Sequence, residues 1–142
     1  MTARQLAAKE YLEQYETAQR QVRQCMEQYE REAYLTDTIR SPSDNDGMPH
    51  GTGISKPTEE KAIKLAEKAI DIHDAKRNAR EVMRKVFAIA YRVGNVEGDI
   101  LIERYIKLKD WNDVYKAVNY SESQTHRYHR AGLDKVAELL GL

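Results

Sequence analysis

The chain has 142 residues, 41% hydrophobic and 32% charged, and its 23 Lys/Arg balance 23 Asp/Glu for a formal net charge of +0. This length suits one ordinary domain, or a small domain with extended helices. The zero balance argues against a nonspecific polyanion clamp, which carries a clear basic excess. One Phe and one Trp against nine Tyr suggest a thin core with much half-wet helix contact, because tyrosine covers such surfaces well.

Charge distribution says more than the sum. From Thr58 to Gly94 there are nine Lys/Arg against six Asp/Glu, and the other stretches are near neutral or slightly acidic. Cys25 is the only cysteine, so no intrachain disulfide forms, and it reads as a small reduced core residue. No apolar run is long enough to cross a bilayer, and the polar start Met1-Thr2-Ala3-Arg4-Gln5 does not read as a signal peptide. A cytoplasmic location is expected.

The first element spans about Ala3 to Leu35, without Gly or Pro. Ala8, Tyr11, Tyr15, Ala18, Val22, Cys25 and Tyr29 step by threes and fours, the seam of a coiled coil or a long packed helix. Such a helix cannot bury its stripe alone. From Thr36 to Pro57 the periodicity stops among Pro42, Gly47, Pro49, Gly51, Gly53 and Pro57, which reads as a loop. Gly51-Thr52-Gly53 is not followed by Gly-Lys-Ser/Thr, so it is no phosphate-binding loop. His50 has no partner ligand in the sequence and reads as a solvated loop residue.

A second long helix is expected from Thr58, with Thr58 as N-cap and Glu59 and Glu60 complementing the helix dipole. Its stripe is Ala62, Leu65, Ala69, Ile72, Ala79, Val82/Met83, Val86, Ile89/Ala90 and Val93, and Gly94-Asn95 ends it. Lys76 interrupts the stripe, with a stem able to lie along an apolar seam. The two long helices either pair antiparallel within one chain or are shared in a dimer. The expected division is residues 1–94, a two-helix region with a loop at 36–57, and residues 95–142, a small C-terminal domain. The fold class is all-α: a long helical hairpin followed by a helix-turn-helix.

The third helix, about Val96 to Leu108, is apolar on a wide face (Ile100, Leu101, Ile102, Tyr105, Ile106, Leu108) and belongs between neighbours. A short fourth helix follows, with Asp110 as N-cap and Trp111, Val114 and Val118 on its inner side. It ends at Asn119-Tyr120, where Asn tolerates the left-handed conformation of a tight turn. Ser121 then stands as N-cap of a last helix that runs to Leu140 before Gly141. Two helices joined by about three residues, the second opened by Ser, make the helix-turn-helix pattern, here within Asp99 to Leu140.

Helical spacing turns Thr125, Tyr128, Leu133 and Val136 inward, with Leu139 and Leu140 closing the end. It leaves Glu122, Ser123, Gln124, His126, Arg127 and Arg130 outside, with Ser121 at the entry. DNA readers insert the first turns of the second helix into the major groove. There Gln pairs with adenine, Arg with guanine, Glu accepts from cytosine, and Ser is permissive. His126, Arg127 and Arg130 also suit phosphate. The candidate DNA-binding residues are therefore Ser121, Glu122, Ser123, Gln124, His126, Arg127 and Arg130. His126 and His129 are three apart, but no Cys or acidic cluster completes a metal site. No nucleophile–base pair or cofactor loop emerges, so neither an enzyme nor a cofactor is expected.

Four segments carry a family resemblance: Ile100-Leu101-Ile102-Glu103-Arg104-Tyr105-Ile106, Trp111-Asn112-Asp113-Val114, Asn119-Tyr120-Ser121, and Thr125-His126-Arg127-Tyr128-His129-Arg130-Ala131-Gly132-Leu133. They resemble the C-terminal half of small phage transcriptional regulators of Gram-positive bacteria, the RinA-like and ArpU-like late-gene activators. The C-terminal half of that group resembles region 4 of bacterial sigma factors. Gly47-Met48-Pro49-His50-Gly51 before a long helix is similar too. The resemblance implies a DNA-binding regulator, an activator, at a phage or prophage promoter in the bacterial cytoplasm. Its implied partners are double-stranded promoter DNA, a second copy of the chain, and host RNA polymerase. Tyr115 stands where such units usually carry a small residue, which bears on the angle between the two helices. Gly132 stands where they usually carry Ala. Two alternatives accompany this reading: a small terminase-type DNA-packaging component, and a polymerase or sigma interaction module without DNA contact.

Overall fold

The structure, a computed structural model, describes residues 1–39 and 56–142. The loop expected within residues 36–57, its Gly51-Thr52-Gly53 and His50, and the resemblance at Gly47 to Gly51 lie outside the described residues or on their edge. Among the described residues every regular element is helical: α1 (Ala3–Ile39), α2 (Lys56–Val93), α3 (Asn95–Leu101) continued by one π turn (Ile102–Ile106), α4 (Trp111–Val118) and α5 (Glu122–Leu140). The chain is thus all-α, with two long helices followed by three shorter ones.

The long helices exceed the sequence limits. α1 runs to Ile39 rather than stopping near Leu35, and no Gly or Pro stands before Pro42 to end it sooner. α2 begins at Lys56 rather than at an N-cap on Thr58. Pro57 is tolerated there because the first turn has no intrahelical use for its N–H.

The chain packs as two compact units. One comprises Met1–Gln19 and Asn78–Leu142. Its core gathers Ala8 and Leu12 of α1, Val86, Ala90 and Val93 of α2, Leu101 and Tyr105, and Leu133, Val136 and Ala137 of α5. Tyr11, Tyr15, Val82, Ile89, Ile102, Ile106 and Leu140 pack against it. This packing crosses the boundary expected at Gly94: the ends of the long helices share one core with the C-terminal helices. The reason is that each element offers a narrow stripe, and only together do they shield side chains such as Leu12, Leu101 and Leu133. Burying each of these contributes about 1.5–3 kcal/mol.

The other unit is Arg20–Arg77. There Val22 and Ala75 are buried, and Lys68 Nζ donates to Gln28 Oε1 at 3.4 Å. The two long helices therefore meet within the chain in this unit too. The seam of α2 passes through Ala75, which is buried, while Lys76 stands exposed beside it. Lys76 does not interrupt the stripe; the periodicity simply steps through its neighbour.

Joints between the C-terminal helices are tight. Gly94 (φ 63°) and Asn95 (φ 54°) turn α2 directly into α3. Gly98 packs so close to α2 that a Cβ there would lie 2.9 Å from the Ala90 carbonyl oxygen. The helix expected from Val96 to Leu108 is not regular. It widens into a π turn, with Lys107 N–H reaching Ile102 O at 3.0 Å. Leu108 then adopts left-handed φ (57°), and Lys109 N–H closes on Glu103 O at 3.2 Å. Ile100, Leu101 and Tyr105 are buried along this stretch and Ile102 and Ile106 flank the core, whereas Leu108, past the π turn, is exposed and takes no part in the face.

Candidate nucleic-acid interface

The helix-turn-helix is built from local hydrogen bonds. Asp110 caps α4, its carboxylate accepting from Asp113 N–H at 2.9 Å. Asn119 ends α4 in the left-handed conformation (φ 59°), its N–H donating to Tyr115 O at 3.0 Å. Ser121 caps α5, its hydroxyl accepting from Gln124 N–H at 3.2 Å, and Thr125 N–H reaches Ser121 O at 2.9 Å. Gly141 closes α5 in left-handed φ (74°). Each cap satisfies backbone groups that a helix end leaves unpaired.

α5 is two-faced. Thr125, His129, Gly132, Leu133, Val136 and Ala137 are buried. Tyr128 is half-buried, its ring 5.3 Å from that of Tyr120. Leu140 packs beside the core, whereas Leu139 is exposed. Ser121, Glu122, Ser123, Gln124, Arg127 and Arg130 are exposed, as the helical spacing requires. Towards its C-terminal end the outer face turns acidic with Asp134 and Glu138. Gln5 Nε2 donates to Asp134 Oδ1 at 3.0 Å, tying that end to α1. The cationic, polar part of the face is therefore its N-terminal half.

His126 departs from the expectation. It is half-buried, its Nε2 lies 2.6 Å from Tyr115 Oη, and its ring centroid is 4.6 Å from that of Trp111. The bulky α4 residues Trp111 and Tyr115 cover it, so it is not an open member of the outer face. Sequence spacing places a residue on a helix but does not reveal how far a neighbour's side chain reaches.

His129 was not singled out as a core residue by its chemistry, yet it is 2% exposed. Its Nε2 meets Tyr105 Oη at 2.8 Å, and Trp111 approaches its ring edge-on at 4.8 Å between centroids. Burial, reinforced by the positive charges of His126, Lys9, Arg104 and Arg130, lowers its pKa to about 4. It is a neutral ring in the core. Tyr105 keeps its proton, since burial pushes its pKa well above the ordinary range. Among the described residues no group of His, Cys, Asp and Glu is arranged to hold a metal ion.

The cations sort into two sets. Glu103 faces Lys107 at 2.7 Å and Lys109 at 2.6 Å. Burial works to raise the Glu103 pKa, but hydrogen bonds and charge from both lysines outweigh it and hold the carboxylate below its usual range. Lys135 pairs with Glu97 at 3.2 Å. Arg104 lies 4.9 Å over the Trp111 ring, and its Nη1 donates to Lys109 O at 2.8 Å. By contrast Lys116 of α4 and Arg127 and Arg130 of α5 are exposed and have no ion-pair partner among the described residues. Lys116 was not marked by sequence reasoning; an isolated Lys on a short helix carries no signal until the turn fixes its neighbours.

Neither a protein-family model, nor a curated protein, nor a solved structure matches this chain. Among the described residues no helix is long and apolar enough to cross a membrane.

Proposed function

We propose that the chain is a sequence-specific DNA-binding transcriptional regulator, an activator of phage or prophage genes acting in the bacterial cytoplasm. The observation that carries the DNA reading is a capped eight-residue helix joined by a left-handed Asn to a second helix with an exposed, polar first half. Gln124 and Arg127 are the base readers of this proposal. Ser121, Glu122 and Ser123 flank them, and Lys116 and Arg130 supply phosphate contacts. The resemblance to late-gene activators supports the phage assignment. Host RNA polymerase is its second partner.

A two-fold dimer goes with this reading, since helix-turn-helix proteins commonly bind paired half-sites. The exposed, stacked rings of Phe87 and Tyr91 on α2, 6.1 Å apart, offer apolar surface for a partner. Selection from random duplex DNA tests the proposal: a position-specific motif is expected, with two-fold symmetry. Selected pools indistinguishable from the starting pool would sink it.

A further inference from the structure

The α4–α5 pair has little apolar surface with which to fix its own angle. α4 is eight residues long and buries only Val114, and the first buried residue of α5 is Thr125. What joins the two helices beyond that is an aromatic cluster. Trp111 lies 4.6 Å from His126 and 4.8 Å from His129 between ring centroids. Tyr115 meets the His126 ring edge-on at 5.6 Å, and Tyr115 Oη lies 2.6 Å from His126 Nε2. Among the described residues this is the only side-chain hydrogen bond between α4 and α5. The cluster is also anchored from outside the pair: Arg104 of the π turn lies over Trp111 and holds the Lys109 carbonyl just before α4.

His126 immediately precedes Arg127 and follows Gln124 by two positions. A ring held at this point of α5 sets the rotation of the helix about its axis, and with it the direction in which both proposed base readers project. A bidentate base contact depends on such direction, because two hydrogen bonds must align at once. Unlike an exposed side chain, His126 is half-buried with its Nε2 already engaged by Tyr115, which leaves it poorly placed to read a base itself.

We propose that His126 is a positioning residue: its hydrogen bond to Tyr115 and its packing on Trp111 fix α5 on α4 so that Gln124 and Arg127 meet the DNA at one angle. The inference rests on the DNA-binding reading above. The experiment uses the full chain and the DNA motif selected by it. Binding to that motif, and to a panel of its single-base variants, is measured for the wild type, Tyr115→Phe, His126→Ala and the double variant. Tyr115→Phe removes one oxygen and guards against loss of folding, which circular dichroism and urea denaturation monitor in parallel.

Each single variant is expected to weaken binding about tenfold, roughly the loss of one bidentate contact. The loss should be largest on the selected motif and smaller on variants at the bases read by Gln124 and Arg127, so that preference relaxes at both positions together. The double variant should be no worse than His126→Ala alone, because that substitution already removes the hydrogen bond that Tyr115→Phe deletes. Emission of Trp111, the only tryptophan, should shift with His126→Ala. The proposal is overturned if His126→Ala changes preference at one base position while Tyr115→Phe binds normally, since His126 then reads a base. It is equally overturned if the wild type selects a motif and neither single variant binds it less tightly. A wild type that selects no motif instead removes the DNA-binding reading itself, and the proposal with it.

Discussion

His129 shows how one side chain couples the fold to pH. The ring is buried and neutral, with a pKa of about 4 against an ordinary 6.5. The unfolded chain therefore takes up its proton first as pH falls. The stability linked to this ring is fully present above about pH 6.5 and is lost progressively down to about pH 4, amounting to on the order of 3 kcal/mol. The difference in urea-derived stability between wild type and His129→Phe should carry this slope across that window and be flat above it. A difference that does not change from pH 7 to pH 4 would contradict a buried neutral ring. Thr125 provides a second check at this scale. Its hydroxyl is buried without a hydrogen-bond partner, so Thr125→Val should stabilise the protein by about 1 kcal/mol. A loss of that size would mean the hydroxyl has a partner, such as water. Neither residue's environment was legible in the sequence. Periodicity puts Thr125 inward, but it cannot say that Tyr105, 24 positions away, meets His129.

At the scale of elements, what could be read was what local chemistry decides. Asp110, Asn119, Ser121 and Gly141 each do in the structure what their side chains or backbone freedom suggest, because a cap acts on residues within one turn. The π turn at Ile102–Ile106 and the left-handed Leu108 were not legible. Both arise where a wide apolar face must meet several neighbours, and no residue type announces that. Gly132 stood out in sequence only as standing where the resembling units usually carry Ala. In the structure a Cβ there would lie 3.2 Å from Glu97 Cβ, so its lack of a side chain lets α5 approach α3. Gly98 is the sharper case, because the atom in the way is the Ala90 carbonyl oxygen at 2.9 Å, which cannot rotate aside. Gly98→Ala should therefore destabilise by about 1–3 kcal/mol through overpacking, even though Ala favours helix by about 1 kcal/mol. The urea midpoint checks the sign: a more stable Gly98→Ala would show that α2 and α3 are not in close contact.

For the whole molecule the question is how a chain of zero net charge holds a polyanion. Overall charge supplies no attraction, so affinity depends on where unpaired cations stand. Most lysines around the helix-turn-helix are committed: Lys107 and Lys109 to Glu103, and Lys135 to Glu97. Lys116, Arg127 and Arg130 remain available. Each phosphate neutralised contributes about −0.9 to the slope of log affinity against log salt. With Arg127 on a base, Lys116 and Arg130 give two phosphate contacts in each half of a dimer and a slope of about −4, and a slope of about −5 would mean that Arg127 contacts phosphate instead. Lys116→Ala should flatten the slope by about 2 in a dimer and weaken binding by a similar factor at every sequence. Gln124→Ala should leave the slope unchanged and relax preference at one base of each half-site. Titrations of the selected motif at several salt concentrations separate the two outcomes. A slope near zero, or one that ignores Lys116, would place the contact surface elsewhere on the chain. A slope of about half the expected size would mean that a single chain binds, which removes the two-fold dimer while leaving the helix-turn-helix in place.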